Sequence, residues 1–196
     1  MSKKIKFITV VALQILLILS IAIYKYSISV NGTEVVLNIK PIDPRDLLRG
    51  DYVTFQYDIS NVYNYGSYGK DTKKIKNGMT VYVELRNYGG NIWAAGEVFT
   101  TKPDRDKMVF LKGTVVSGGM PDQPSDQQLT NNAVTGKSPY YSSELHIAYG
   151  IEQFYIPEGS GRNFSFAGKD AKAKVAVDKN GNAVLKKINV DGKNWP

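Results

Sequence analysis

The chain contains no cysteine and a single histidine among 196 residues. The first absence excludes disulfides, thiol nucleophiles, cysteine-ligated zinc and a lipid-modified N-terminal cysteine. The second makes a two- or three-histidine metal site impossible, and any histidine-based triad would have to use His146. His146 lies in the alternating stretch ELHIAYG, where the expected reading is a satisfied or surface histidine and not a base. Arginine is scarce as well, with only Arg45, Arg49, Arg86, Arg105 and Arg162, scattered along the chain. The formal net charge of +7 is unevenly placed. Lys3, Lys4, Lys6 and Lys25 flank one apolar segment, and with those four set aside 21 bases face 18 acids. A nucleic-acid binder concentrates its basic residues on one face, so no nucleic-acid partner is expected. There is no P-loop or dinucleotide fingerprint, the glycines fall at turns, and no cofactor is expected.

Long apolar runs are absent too, with one exception. Residues 7 to 24, FITVVALQILLILSIAIY, carry no charge and only Thr9, Gln14 and Ser20 as polar interruptions. As a helix this run covers about 27 Å, close to the ~30 Å hydrocarbon core of a bilayer. A cleaved signal peptide has a shorter apolar region ending in a small-x-small site. Ser20-Ile21-Ala22 has that form, but Ile23 and Tyr24 continue the apolar run past it, so an uncleaved anchor is expected. Three lysines precede the run and one follows it, which keeps the short N-terminus cytoplasmic and places the remainder outside. Tyr24 and Tyr26 suit the outer interface, where amphipathic aromatics gather. The expected organisation is a cytoplasmic tip and transmembrane anchor over residues 1–25, then one extracytoplasmic domain over 26–196.

Downstream the periodicity shortens to alternation. The stretch 26–39, YSISVNGTEVVLNI, has Asn31-Gly32 between β-branched runs, which predicts a hairpin. In 52–59 Val53, Phe55, Tyr57 and Ile59 share one face, and in 79–87 Val81, Val83 and Leu85 do. Residues 91–100, 107–116 and 144–156 continue the pattern, and 171–192 read as a second hairpin with Asn180-Gly181 at its tip. About eight short strands at turn-punctuated spacing predict a mostly β fold, an antiparallel β-sandwich or small β-barrel with long loops over 60–78 and 117–144.

The densest stretch is DPRDLLRGDYVTFQY, residues 43–57. Asp43 is a good N-cap, Pro44 suits the first helical position, Asp46 favours the helix start, and Gly50 ends the turn. Leu47 and Leu48 anchor that turn to the core. This accounts for everything except Arg45 and Arg49, four apart on one helix face. Together they suit a carboxylate, a phosphate or a partner's acidic side chain, unless Asp46, Asp51 or Glu158 pairs with them. Four acids near two arginines, Asp43, Asp46, Asp51 and Glu158, are more simply an ion-pair network than a catalytic carboxylate pair.

Gly50-Asp51-Tyr52-Val53-Thr54-Phe55-Gln56-Tyr57 resembles the signature of the GDYXXLXY proteins, bacterial membrane-anchored proteins named for that string, with Phe55 in place of the usual leucine. GIEQFYIPEGSG (150–161) and NAVLKKINVDGK (182–193) are similar to further elements of that family. The resemblance spans most of the chain. It implies a single-pass protein of the bacterial cell membrane with its C-terminal domain outside the cytoplasm. It implies no activity, but members occur beside polytopic membrane proteins, which implies a membrane partner. PRDLLRGDYV is also similar to an element of type I signal peptidases, where a nucleophilic serine lies a few residues before the proline. Here that position is Pro41, so the serine–lysine mechanism does not carry over and at most a likeness of local fold, or a pseudoenzyme, remains.

The resulting expectation is an interaction module for a membrane partner or envelope ligand. Its binding residues are Arg45, Arg49, Asp51, Tyr52, Tyr57 and Glu158, with the arginine turn packed against Pro157-Glu158-Gly159. The alternative is an envelope-polymer hydrolase using Asp51 and Glu158. No catalytic residue and no metal ligand is assigned.

Overall fold

The structure, a computed structural model, describes residues 2–40, 52–63, 75–89, 91–104, 108–118, 144–157, 166 and 168–195. It opens with helix α1, Lys3–Asn31, whose N-terminus is capped by Ser2 accepting from the Ile5 N–H. The helix is long and apolar enough to cross a membrane, and nothing among the described residues covers its apolar window. A helix apolar all round and uncovered needs an apolar surrounding that the described residues do not supply.

The predicted hairpin at Asn31-Gly32 does not form. Residues 26–31 continue α1, and strand β1, Thr33–Lys40, begins directly after Gly32. The reason lies in backbone cost and crowding. An elongating helix adds one hydrogen bond per residue fixed, so the anchor carries its helical state through a short β-branched run. Gly32 has φ −71°, an extended conformation and not the positive φ of a type I′ turn, and its N–H donates to the Ile28 carbonyl. Glycine is required here for proximity: a Cβ would lie 2.6 Å from the Ile28 oxygen and 3.0 Å from the Val177 N and O.

Two five-stranded antiparallel sheets follow. In the first, β1 is flanked by β10, Ala171–Val177, and by the two-residue β3, Gln56–Tyr57. Next to β10 come β11, Ala183–Val190, and β12, Lys193–Trp195. The second sheet is ordered β4 (Asn61–Val62), β8 (Leu145–Ala148), β7 (Val109–Ser117), β5 (Thr80–Asn87) and β6 (Trp93–Phe99). A separate two-stranded ribbon joins β2, Tyr52–Thr54, to β9, Gln153–Tyr155. Among the described residues every pairing is antiparallel, each sheet ends at open edges and no barrel closes, so the fold is sandwich-like.

The inward faces merge into one core. Val35, Leu37, Ala173, Val175 and Ile188 of the first sheet join Val81, Val83, Leu111, Leu145 and Ile147 of the second, all fully or almost fully buried. The alternation predicted for 79–87 and 171–192 is therefore the core-facing pattern. Asn180-Gly181 does lie in the β10–β11 turn, where Asp178 Oδ1 accepts from the Asn180 and Asn182 N–H groups at 2.8 Å. One further strand closes the chain. Asp191 (φ 51°) and Gly192 (φ 79°) both adopt positive φ, forming the two-residue turn that sets Val190 opposite Lys193 and adds β12.

On the outer face of the first sheet, Glu34 bridges Lys174 and, at 2.6 Å, Lys186. Hydrogen bonds from Lys174 first and Lys186 second hold its carboxyl down at about 2.

Two predictions follow from this geometry. Gly32→Ala is expected to lower stability by about 1–3 kcal/mol, the usual cost of forcing atoms into a packed site, measured by chemical unfolding in detergent. Glu34 supplies a pH signature: its carboxylate is favoured in the folded state, so its stabilisation is present above about pH 4.3 and is lost as pH falls toward 2. Unfolding of wild type and Glu34→Gln across that range should show a gap at neutral pH that closes on acidification.

Candidate functional site

The string 52–57 is divided among partners. Its first three residues pair with β9, with Tyr52 opposite Tyr155, Val53 opposite Phe154 and Thr54 opposite Gln153. At Phe55 the pairing breaks. Gln56 and Tyr57 join β1, opposite Lys40 and Ile39. A single 3-10 turn, Asp58–Ser60, then carries the chain to the second sheet, where Asn61 and Val62 pair with β8. The single strand predicted for 52–59 is therefore a three-way junction.

The junction is held by side chains. Val53, Phe55, Tyr57 and Ile59 are buried, Phe55 and Tyr57 completely. Phe55 meets Tyr57 edge-on at 5.4 Å and Phe166 edge-on at 5.8 Å, and Phe166 meets Trp195 of β12 at 5.5 Å. Such contacts add about 0.5–1.5 kcal/mol each beyond area burial. The Tyr57 hydroxyl donates to the Ile151 carbonyl at 2.7 Å, and the Tyr149 hydroxyl donates to the Ile59 carbonyl at 2.7 Å. Each tyrosine thus reaches from its own segment to the backbone of the other. The Tyr57 N–H donates to Ser60 Oγ at 3.2 Å, the Phe55 N–H to the Glu152 carbonyl at 3.0 Å, and the Tyr149 N–H to Glu152 Oε1. Burial, and after it the Glu152 charge, pushes both phenols above their ordinary values, so both stay protonated donors.

His146 is fixed in the same region. Its Nδ1 is 2.7 Å from Asn61 Oδ1 and its Nε2 is 3.3 Å from Gln56 Nε2. The neighbours select the tautomer that donates from Nδ1 and accepts at Nε2, so both ring nitrogens are satisfied. Farther off, Arg86 bridges Glu84 at 2.6 Å and Glu97 at 3.4 Å on the β5–β6 face, and the Glu84 hydrogen bond raises the guanidinium above its ordinary value. That arrangement is an ion-pair network.

Of the six residues predicted to bind, Arg45, Arg49, Asp51 and Glu158 lie outside the described residues, as does Pro41. The carboxylate spacing that a hydrolase needs, about 5–9.5 Å, concerns two of these. Tyr52 is placed by its backbone pairing with Tyr155. Tyr57 is in the core, its hydroxyl committed to Ile151. Sequence reasoning passed over Tyr149 and Glu152. Their only sequence signal is the phenol-x-x-carboxylate spacing in YGIE, which carries no meaning until β8 and β9 are known to flank the 52–62 junction.

These features define a class: one long apolar helix running directly into a two-sheet antiparallel domain stitched together at a tyrosine-bearing junction. The family model described as GDYXXLXY protein matches residues 14–188, and the chain belongs to that family. No curated protein and no solved structure matches it.

Tyr57→Phe and Tyr149→Phe should each cost about 1–3 kcal/mol, because each removes the donor from a buried carbonyl outside any strand. Chemical unfolding of both single variants and the double variant checks this. Coupling of at least about 0.5 kcal/mol is expected, because both bonds clasp the same two segments.

Proposed function

We propose that the chain is a single-pass membrane protein whose exported β domain works by binding, with a membrane partner or an envelope ligand as its target. The observation that carries this reading is the division of labour within the family string. Its Val53, Phe55 and Tyr57 build the junction, while the ribbon built on Tyr52–Thr54 turns Gln153 and Tyr155 outward, Tyr155 at 79% exposure. A short ribbon with an exposed aromatic suits recognition, through backbone groups along its edge and a ring as anchor.

The register adds to this. Because Tyr52 opposes Tyr155, β2 starts and β9 ends at the same end of the ribbon. The chain arrives there from Asp51, the segment carrying Arg45 and Arg49, and departs toward Glu158. Arg45 and Arg49 precede this ribbon in the sequence, and guanidinium groups suit a carboxylate or phosphate on the partner. The uncovered apolar helix and its flanking lysines support residence in the bacterial cell membrane with the domain outside.

A photo-crosslinking residue at position 155, compared with one at exposed position 187 in β11 of the first sheet, tests the reading in intact membranes. The expected result is one discrete membrane-protein adduct from position 155, weakened by Arg45→Ala/Arg49→Ala. No adduct at 155, or identical adducts from both positions that ignore the arginines, would overturn it.

A further inference from the structure

The end of the apolar run is built into the β domain. Tyr24, its last residue, donates to Asp178 Oδ2 at 3.3 Å and accepts from Asn182 Nδ2 at 2.9 Å. Both partners belong to the β10–β11 turn. One helical turn further along, Ile28 is buried against the domain. The Lys112 N–H of β7 donates to the Gly181 carbonyl of the same turn at 2.9 Å. The hairpin tip and this part of β7 therefore stand level with the last turn of the apolar run and not beyond a spacer. In a bilayer that level is the headgroup layer.

A cleft of about 410 Å³ opens at this level, lined among others by Lys25, Lys112, Thr114, Gly150 and Asn182. Its lining includes two lysines and no acidic residue. Lys25 and Lys112 are both exposed, and neither forms an ion pair among the described residues. The nearest acid of the hairpin tip, Asp178, is already engaged. Its Oδ1 accepts from the Asn180 and Asn182 N–H groups, and its Oδ2 from Asn182 Nδ2 and Tyr24. Lys25 comes directly after the apolar run, where an ammonium group meets lipid phosphate, and Lys112 joins the lining from the domain side.

We infer that this cleft is a site for an anionic glycerophospholipid of the outer leaflet, its phosphate held between Lys25 and Lys112. The inference rests on the proposed membrane span. The lipid acts as a clamp between helix and domain, fixing the domain's tilt on the membrane surface. A basic side chain at an anionic surface strengthens binding by about five-fold, so removing both should cost about twenty- to thirty-fold.

The test uses the full chain in uncharged alkyl maltoside micelles, titrated with phosphatidylglycerol or phosphatidylcholine, with retained lipid read by native mass spectrometry. Retention of phosphatidylglycerol over phosphatidylcholine is expected, falling about twenty- to thirty-fold in K25Q/K112Q and unchanged in K187Q. Both substituted lysines are exposed, so the double variant should keep its unfolding midpoint. Equal retention of the two lipids, or a double variant that keeps the preference, would overturn the site. Displacement of phosphatidylglycerol by excess inorganic phosphate would overturn the lipid as occupant. Alkaline carbonate extraction and intact mass, measured on the same protein from membranes, separate the two ideas. Release at reduced mass removes the span itself, whereas an intact, extraction-resistant chain without lipid preference removes only the site.

Discussion

Two buried phenols, each donating its proton to the backbone of the other's segment, hold this domain together. Tyr57 reaches Ile151 and Tyr149 reaches Ile59, both at 2.7 Å. Both accepting carbonyls belong to residues outside the strands, where ladders do not supply donors, and burying such a group unpaired costs about 1–3 kcal/mol. Tyrosine meets both needs of the site, filling the core with its ring and the crossing with its hydroxyl. Phenylalanine meets only the first. The same logic explains why position 55 accepts phenylalanine where the family string has leucine. Phe55 supplies apolar volume and edge contacts alone, and a change among large apolar groups leaves its inward face intact.

This constraint also shows which parts of the fold were legible in the sequence. Alternation reports which face a side chain takes, so Val81, Val83 and Leu85, and the inward residues of β10 and β11, were readable directly. Alternation does not report the partner. Val53, Phe55, Tyr57 and Ile59 alternate without interruption while pairing passes from β9 to β1 and the chain crosses to β8, so the junction looked like one strand. Asn-Gly at 31–32 and Asp-Gly at 191–192 carry similar turn chemistry, yet only the second pair turns. The first sits at the end of a helix already propagating, and its glycine is needed for close approach to Val177.

The candidate site was legible in composition and not in role. The clustering of arginines, acids and tyrosines marked residues 43–57 as unusual; of these, 52–57 divide between the ribbon and the first sheet, and the chain reaches the second sheet only at 61–62. Tyr57 carries structure there. Tyr149 and Glu152, which complete the junction, could not be singled out because their significance depends on contacts some 90 residues away in sequence. Conversely, His146 attracts notice as the sole histidine, and its two neighbours satisfy both ring nitrogens.

The helix–domain joint then limits what the proposed binding function can reach. α1 runs into β1 with only Gly32 between them, and β1 lies within the first sheet, paired on both sides. Ile28 is buried and Tyr24 is bonded to the β10–β11 turn, so the domain has no leash on which to explore. From Tyr24 to Asn31 the helix rises only about 10 Å. On the proposed membrane reading, a domain set this close samples what lies at the bilayer surface and little beyond it. A soluble ligand far from the membrane favours a long flexible tether, whereas a partner embedded in the same bilayer favours a short stiff one, because a fixed pose lowers the entropy lost on association. The missing spacer is thus an argument about the partner: the shorter the joint, the stronger the case that whatever binds is itself held in the membrane.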